Sequence, residues 1–300
     1  MDNTSFESRT ATVDGVEEVT EWVDNGGRPF YIHTFKPTTQ PPVATVTLVH
    51  GLGEHIGRYG ELGQNFAHAG IQTIGFDQRG FGKTGRRSGC LGHNEGIDTV
   101  ADDIAFINSR ATIDGVPHFL FGHSMGGLNV LNYAARKNQN THVSGVIASA
   151  PALQPGKLVQ RSRVTEFLFH LITHVAPKTR IDYSSYIDKQ GGNDSKLKNT
   201  NESDDGIEFC TMGTISTIVK RGPELIQSAP SFNTPVLLVH ADGDQITNPN
   251  GTRSFYLRLP DTLDKEFKVL KGVKCHELDI EDLGFSLWDI YIKWILDRAK

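Results

Sequence analysis

The stretch that decides the fold is His118-Phe-Leu-Phe-Gly-His-Ser-Met-Gly-Gly127, and a helical run from Leu128 to Lys137 follows it. The first four residues have the character of a buried strand, and Ser124 stands inside Gly122-His-Ser-Met-Gly126. Glycine on both sides of the serine leaves room for the backbone to turn sharply from strand to helix. The sequence therefore predicts a serine hydroxyl presented at the carboxyl end of a strand.

The chain on either side of this stretch alternates short apolar strands with amphipathic helices. The predicted strands are Val43 to His50, Ile71 to Phe76, Val143 to Ala148, Pro235 to His240 and Lys265 to Leu270. The predicted helices are Tyr59 to Ala69, Asp98 to Ser109, Gly251 to Leu259 and Phe285 to Arg298. Glu21 to Asp24 and Pro29 to Phe35 flank Gly26-Gly27 and predict a hairpin. This alternation indicates the α/β class, with a doubly wound, mostly parallel sheet and function at the carboxyl ends of its strands.

The alternation stops between residues 151 and 230, where no strand is evident. Val164 to Val175 is amphipathic, and Asp182 to Asp205 is rich in small polar residues. We therefore predict a loose N-terminal arm over 1–18, a core domain over 19–150 and 231–300, and a mainly helical cap over 151–230. The apolar face of segment 164–175 either seals the cap onto the core or also touches acyl chains and a lipid surface.

Composition excludes several classes of function. The 300 residues carry a net charge of −5, which provides no basic face for a nucleic-acid partner. Three cysteines without a Cys-x-x-Cys pair suggest neither a disulfide framework nor a zinc site, and we expect no metal and no organic cofactor. The polar N-terminus and the lack of a long apolar run lead us to expect a cytoplasmic protein, with transient peripheral contact with membranes or lipid droplets through the cap. The oligomeric state is left open.

A serine hydroxyl needs a positioned base, and that base needs a group that fixes its tautomer. Among 12 histidines, His276 follows the last predicted strand, where its side chain can reach back over the sheet edge. Asp244 follows the strand that ends at His240, and the order Ser124, Asp244, His276 is the order expected with this serine motif. Asp242 competes for the role of the acid. Asp279 and Glu281 are remoter candidates.

An oxyanion formed at Ser124 would need two backbone N–H groups as hydrogen-bond donors. One is predicted to be the amide of Met125, directly after the serine. The second is predicted to be Leu52, in the loop after the strand ending at His50, where Gly51 and Gly53 give the backbone freedom to turn.

At these residues the sequence resembles the α/β-hydrolase superfamily, and within it the monoacylglycerol lipase family with its lysophospholipase-like relatives. Four stretches carry the resemblance: His50-Gly-Leu-Gly-Glu-His55 with Arg58-Tyr59, Phe76-Asp-Gln-Arg-Gly-Phe-Gly82, the motif around Ser124, and the loops of Asp244 and His276. Together they imply the α/β-hydrolase fold with a cap inserted over the active site.

The resemblance also implies an activity and a set of roles. It implies hydrolysis of the ester between glycerol and one fatty acid, with Ser124 as nucleophile, His276 as base and then acid, and Asp244 orienting His276. By the same resemblance Glu54, Arg58 and His123 surround the glycerol end of a monoacylglycerol or similar single-chain lipid ester, and the acyl tail lies under the cap.

Alternatives to these implied roles remain open from the sequence alone. Glu54 and Arg58, four residues apart, could instead pair with each other, and His123 could only brace the turn. The activity could be that of a lysophospholipase or of another carboxylesterase or acyltransferase on the same scaffold. A non-catalytic, hydrolase-like binding protein is the remaining alternative, and it is disfavoured because no triad member is missing.

Overall fold

A computed structural model describes residues 8–136, 143–159, 173, 175–183, 205–276, 278 and 287–300. Most of the predicted amphipathic segment 164–175 lies outside these residues, as does most of the polar stretch 182–205. The remoter acid candidates Asp279 and Glu281 also lie outside them.

Nine of the described strands form one sheet. They are β1 Arg9–Val13, β2 Val16–Asn25, β3 Arg28–Pro37, β4 Ala44–Val49, β5 Ile71–Phe76, β6 His118–His123, β7 Gly145–Ser149, β10 Val236–Ala241 and β11 Lys265–Leu270. Their order across the sheet is β1-β2-β3-β5-β4-β6-β7-β10-β11. The six strands from β5 to β11 in that order pair in parallel, while β1, β2 and β3 pair antiparallel and β3 joins β5 antiparallel. The predicted strands and the doubly wound, mostly parallel sheet are confirmed.

The described helices cover both faces of this sheet. They are α1 Gly60–His68, α2 Gly82–Ser88, α3 Ile97–Ala111, α4 Met125–Ala134, α5 Met212–Ser228, α6 Pro249–Arg258 and α7 Leu287–Arg298. One buried apolar cluster includes residues of α3, α4, α5 and α6, and a second includes residues of α1 and α7 on the other side. Because both faces are covered, β4, β6, β7 and β10 are buried along their whole length.

The N-terminal arm differs from its prediction. Residues Arg9–Val13 form β1 and Val16 begins β2, so a loose arm over 1–18 is wrong for these residues. Every residue of β1 is exposed, so this edge strand lacks the apolar pattern from which strands are predicted. Asp14 and Gly15 join the two strands with φ of 48° and 82°, the positive values that an Asp-Gly pair favours in a two-residue hairpin turn. The Asp14-Gly15 pair is the sequence feature from which this hairpin could have been predicted.

The region predicted as the cap also differs in detail. It contains a small antiparallel sheet of β8 Arg180–Asp182 and β9 Phe209–Thr211, where no strand was predicted. It also contains α5, whose Leu225 and Ile226 pack in the same apolar cluster as Leu153. Residues near both ends of 151–230 thus pack with the core. An inserted cap would therefore be shorter than the predicted range 151–230.

No helix of the described residues is long and apolar enough to cross a membrane. Over the same ranges, no group of three or more His, Cys, Asp or Glu side chains is arranged to hold a metal ion.

Candidate active site

Ser124 lies on a strained turn between β6 and α4. Its φ of 51° and ψ of −114° fall outside the regions that residues with a side chain prefer. The turn is fixed by hydrogen bonds of the serine backbone: its N–H donates to Ser149 O at 2.9 Å, and its carbonyl accepts from Leu128 N at 3.1 Å. Backbone strain of this kind persists only where the surroundings determine it, and it presents the serine at the carboxyl edge of the sheet.

The two motif glycines are explained by close backbone contacts. A Cβ on Gly122 would overlap the backbone of Gly126, and a Cβ on Gly126 would overlap the carbonyl oxygens of Val49 and His50. The first turn of α4 therefore packs directly on the end of β4. This approach brings the loop that follows β4 next to the serine.

The structure brings Ser124, His276 and Asp244 together. His276 Nε2 lies 2.9 Å from Ser124 Oγ, and His276 Nδ1 lies 2.7 Å from Asp244 Oδ2. An ionised carboxylate can only accept, so Nδ1 carries the proton and Nε2 is left to accept the serine hydroxyl. All three residues are buried, with 6–8% of their surface exposed. This is the hydrogen-bonded order that a nucleophile, a base and an orienting acid require.

Asp244, and not Asp242, contacts His276. Asp244 Oδ1 accepts from the amides of Ile246 and Thr247 at 2.8 and 3.1 Å, and Oδ2 accepts from the Thr247 hydroxyl at 2.8 Å. Burial disfavours the charged carboxyl, but the charge of His276 and the side chains of His240 and His276 hold the pKa of Asp244 below its ordinary value. Asp242 is exposed and accepts from Gly272 N at 2.9 Å, in the turn that follows β11.

The two amides predicted for the oxyanion lie at neighbouring strand ends. Met125 is the first residue of α4, so its N–H has no acceptor within the helix. Leu52 lies in the turn after β4, the strand that pairs with β6 through Val49 and Gly122. Neither amide donates to another backbone atom in the part of the chain that the structure describes. Their role as the two donors to an oxyanion stays a prediction.

Glu54 and Arg58 are paired beneath the loop that carries Leu52. Arg58 Nη1 lies 3.3 Å from Glu54 Oε1, and the two side chains are 6% and 4% exposed. Glu54 Oε2 also accepts from Gly51 N at 2.7 Å and from the Tyr59 hydroxyl at 2.6 Å. Burial raises the pKa of Glu54, but the positive charges of Arg58 and His123 outweigh it and hold the pKa below its ordinary value. The carboxylate thus shapes the loop.

His123 is buried beside the base, with its ring centroid 5.0 Å from that of His276. Its charge interacts with Glu54, so the three residues that the resemblance placed around glycerol form one electrostatic group next to Ser124. These contacts are among the three residues themselves, so their binding of the glycerol end of a substrate stays a prediction.

A buried polar network that the sequence reasoning missed supports the same loop. His50 Nδ1 donates to Gly51 O at 2.8 Å, and His50 Nε2 accepts from Gln78 N at 3.0 Å. The Gln78 side chain donates to His50 O at 2.5 Å and accepts from Asn129 Nδ2 at 2.8 Å. Complete burial lowers the pKa of His50 to about 4 and keeps the ring neutral. The available signal was its position, since His50 directly follows a buried strand.

Two residues of the predicted cap contact the same loop from its other side. Ile207 N donates to Gly53 O at 2.9 Å, and the Tyr183 hydroxyl donates to Ile207 O at 2.8 Å. Gly53 has a φ of +77°, and a Cβ on it would overlap both Tyr183 and the Ile207 carbonyl. The loop that carries Leu52 therefore lies between the core and this part of the predicted cap.

The sequence matches one family model and is similar to several known proteins. The family model described as serine aminopeptidase, S33, matches residues 40–282. An uncharacterized abhydrolase domain-containing protein of Dictyostelium discoideum is 36% identical over 273 residues, which cover 90% of this chain and only 28% of that protein. The putative monoglyceride lipase of Schizosaccharomyces pombe is 29% identical over 278 residues, covering 90% of this chain and 72% of the relative.

Two solved structures are similar over most of both chains. The monoacylglycerol lipase of Paleococcus ferrophilus has a TM-score of 0.76 at 27% identity and covers 90% of this chain and 99% of its own. A soluble variant of the monoglyceride lipase of Saccharomyces cerevisiae, in complex with a substrate analog, has a TM-score of 0.77 at 25% identity and covers 99% and 97%.

Proposed function

We propose that this chain, which belongs to the family described as serine aminopeptidase, S33, within the α/β-hydrolase superfamily, hydrolyses monoacylglycerols to a free fatty acid and glycerol. The observation that carries the proposal is the continuous line of hydrogen bonds from Ser124 to His276 to Asp244, at 2.9 and 2.7 Å. The substrate class rests on relatives whose names are monoglyceride lipase or monoacylglycerol lipase.

The reaction proceeds in two halves. Ser124 Oγ attacks the ester carbonyl while its proton passes to His276 Nε2, and Asp244 stabilises the imidazolium through Nδ1–H. The amides of Leu52 and Met125 donate to the developing oxyanion. His276 then protonates the glycerol oxygen, which leaves an acyl group on Ser124. Water, deprotonated by His276, releases the fatty acid and restores the serine.

Glu54, Arg58 and His123 form the polar end of the proposed substrate site, and the acyl tail lies under the cap. His123 is the member beside His276, so it is closest to the oxygen that His276 protonates. Glu54 and Arg58 act chiefly through the loop, because the carboxylate already holds Gly51 N and the Tyr59 hydroxyl. Transient contact of the cap with membranes or lipid droplets, in a cytoplasmic protein, completes the proposal.

A substrate panel tests this function against its alternatives. We expect a long-chain monoacylglycerol to have a higher kcat/KM than diacylglycerols, lysophospholipids, acetyl esters or an amino-acid anilide that an aminopeptidase would cleave. Ser124→Ala should lower kcat on the order of 10⁵-fold or more for every ester. A higher kcat/KM for acetyl esters would assign a general carboxylesterase, and full activity of Ser124→Ala would refute the mechanism. With a monoacylglycerol as acyl donor, formation of a new ester with an added short-chain alcohol in preference to the free fatty acid would indicate an acyltransferase.

A further inference from the structure

A second histidine lies beside the carboxylate of Asp244. His240 is in β10 and none of its surface is exposed. Its Nε2 lies 3.3 Å from Asp244 Oδ2, 3.3 Å from Thr247 O and 3.2 Å from Thr247 Oγ1. Its Nδ1 lies 2.8 Å from Thr252 Oγ1 in α6. The ring thus joins the strand, the loop that carries Asp244 and the following helix.

The partners of His240 determine where its proton lies. The Thr247 hydroxyl donates to Asp244 Oδ2 at 2.8 Å, so its oxygen is left to accept. All three oxygens around His240 Nε2 are therefore acceptors. If this nitrogen carried no hydrogen, its lone pair would face the lone pairs of all three oxygens, which is unfavourable. Nε2 consequently carries the hydrogen, and in the neutral ring Nδ1 accepts from the Thr252 hydroxyl.

We propose that His240 is a positioning residue of the triad, acting through Asp244 and Thr247. Its Nε2–H holds the Thr247 carbonyl and hydroxyl in place, and the hydroxyl in turn fixes Oδ2 against His276 Nδ1. The same N–H dipole faces the carboxylate and offsets part of its charge, so its removal should strengthen the attraction between Asp244 and the protonated form of His276. This inference rests on the proposed function, because it concerns the same base.

The titratable groups around this cluster come from three other elements. His276 lies on the loop after β11, His123 lies at the end of β6 beside it, and Glu54 lies in the loop after β4 and interacts with His123. These groups are the same in the wild type and in the variants below. A difference in pH profile between wild type and variant therefore reports the loss of the His240 donor.

The test compares variants that differ in one hydrogen-bond donor. Glutamine places its amide nitrogen close to the position of His Nε2, whereas methionine has similar size and no donor. We expect His240→Met to lower kcat about tenfold with KM unchanged within about twofold, and to move the acid limb of the kcat/KM profile up by about half a pH unit. His240→Gln should recover most of kcat and place the acid limb at the wild-type pH.

His118 provides the matched control. It is also a buried histidine between hydroxyls, with Nδ1 2.8 Å from Thr45 Oγ1 and Nε2 3.4 Å from Thr47 Oγ1. It lies, however, at the amino end of β6, whereas the site lies at the carboxyl end of this strand. His118→Met should lower the melting temperature and leave the pH profile of the folded enzyme unchanged. If His240→Met behaves in the same way, or if His240→Gln shifts the profile as far as His240→Met, His240 is a packing residue and the inference is refuted.

A second variant keeps the inference testable if His240→Met does not fold. Thr252→Val is nearly isosteric and removes the hydroxyl that His240 Nδ1 accepts from, so we expect a smaller shift of the acid limb in the same direction. No shift in this variant would overturn the inference. The assays use a monoacylglycerol and a p-nitrophenyl ester on full-length protein. A wild type that cleaves neither refutes the proposed function, whereas an active wild type with an unshifted His240→Met refutes only the role of His240.

Discussion

The loop after β10 and the segment 205–211 both border the candidate site, but different interactions hold them. Asp244 is buried and its carboxylate accepts from Ile246, Thr247 and His276 at 2.7–3.1 Å. Asp205, at the start of the second segment, lies 3.8 Å from Lys83 and Arg86, whose side chains are each 42% exposed. Further along the segment, Ile207 N donates to Gly53 O at 2.9 Å, and the buried Thr211 hydroxyl lies 2.8 Å from His93 Nδ1.

The difference lies in how firmly the surroundings hold each of the two regions. A proton relay works only if its donors and acceptors are already in place, and the burial of Asp244 makes each of its bonds costly to break. Exposed ion pairs contribute little free energy, so the start of the second segment, at Asp205, is joined to the core by contacts that cost little to rearrange. Its end is held more firmly, because Cys210 and Thr211 are buried. We infer that the geometry of the triad is fixed, while the start of segment 205–211 is weakly held.

The largest expected effect comes from the buried acid. Asp244→Asn should lower kcat on the order of 10⁴-fold, because the amide no longer holds His276 in the productive tautomer with a stabilised charge. Asp242→Asn is the matched control two residues earlier, and it should leave kcat within about threefold because its exposed carboxylate accepts from Gly272 N rather than from His276. Steady-state kinetics with the same ester substrate measure kcat for both variants. Equal losses in the two variants would remove the distinction between the two carboxylates.

Acid should disturb the buried networks of the core. Burial lowers the pKa of His50 and of His118 from 6.5 to about 4, so folding favours the neutral rings. This contribution is fully present above pH 6.5 and is lost as pH falls toward 4, because the unfolded chain then binds protons that the folded chain does not. Each histidine should account for about 3 kcal/mol of the loss.

Chemical denaturation at pH 7.5 and pH 4 measures this loss. His118→Met lacks one of the two titrating groups, so its free energy of unfolding should fall by about 3 kcal/mol less than that of the wild type between these pH values. Identical falls in the two proteins would show that His118 titrates normally in the folded state.

The contact between the loop and the segment should have an intermediate effect. Gly53→Ala adds a Cβ that overlaps Tyr183 and the Ile207 carbonyl, whereas Gly115→Ala adds one with nothing within 4 Å, and both glycines have a φ of +77°. Each variant pays about 1 kcal/mol for the left-handed backbone. Only Gly53→Ala should also lower kcat/KM, about tenfold, because it displaces the loop of Leu52. Equal kcat/KM in the two variants would show that the overlap does not reach the oxyanion site.

The smallest effect should come from the exposed ion pairs. Asp205→Asn should change the free energy of unfolding by less than about 0.5 kcal/mol and kcat/KM by less than about twofold, since water screens both pairs. Melting temperature and kinetics at low and high salt measure it. A tenfold loss at low salt would mean that charge holds the segment and that the contrast with Asp244 is wrong.

The sequence predicts the core well because its strands are buried on both faces. Ile71 to Phe76, buried at five of its six positions, is predicted at the bounds where the structure has β5. Lys265 to Leu270 is also predicted at the bounds of β11, although this edge strand is mostly only partly buried. Since the carboxyl ends of parallel strands meet at one edge, a serine, an aspartate and a histidine after three such strands are expected to converge, and the structure brings them within hydrogen-bond distance.

The elements that the sequence does not predict depend on tertiary contacts. Helix α2 contains Gly82 and Gly85, which disfavour a helix, and it is held instead by close packing on Asp77 and Gly80 and by Lys83 N donating to Asp77 Oδ2 at 2.7 Å. The choice between Asp242 and Asp244 is similar, because both follow the same strand and only the path of the loop decides which carboxylate meets His276. The hydrogen-bond partners of His240 lie within residues 244–252, whose positions no local pattern encodes.

The most direct measurement of the central claim is the site of covalent labelling by a fluorophosphonate, which reacts with an activated serine and leaves an adduct that mimics the tetrahedral intermediate. Mass spectrometry of the digested protein should find one adduct on the peptide that contains Ser124, formed with the loss of esterase activity. The adduct should be absent from Ser124→Ala and form far more slowly in Asp244→Asn. Labelling of a different serine in step with inactivation, or ester hydrolysis that survives complete labelling of Ser124, would contradict the account.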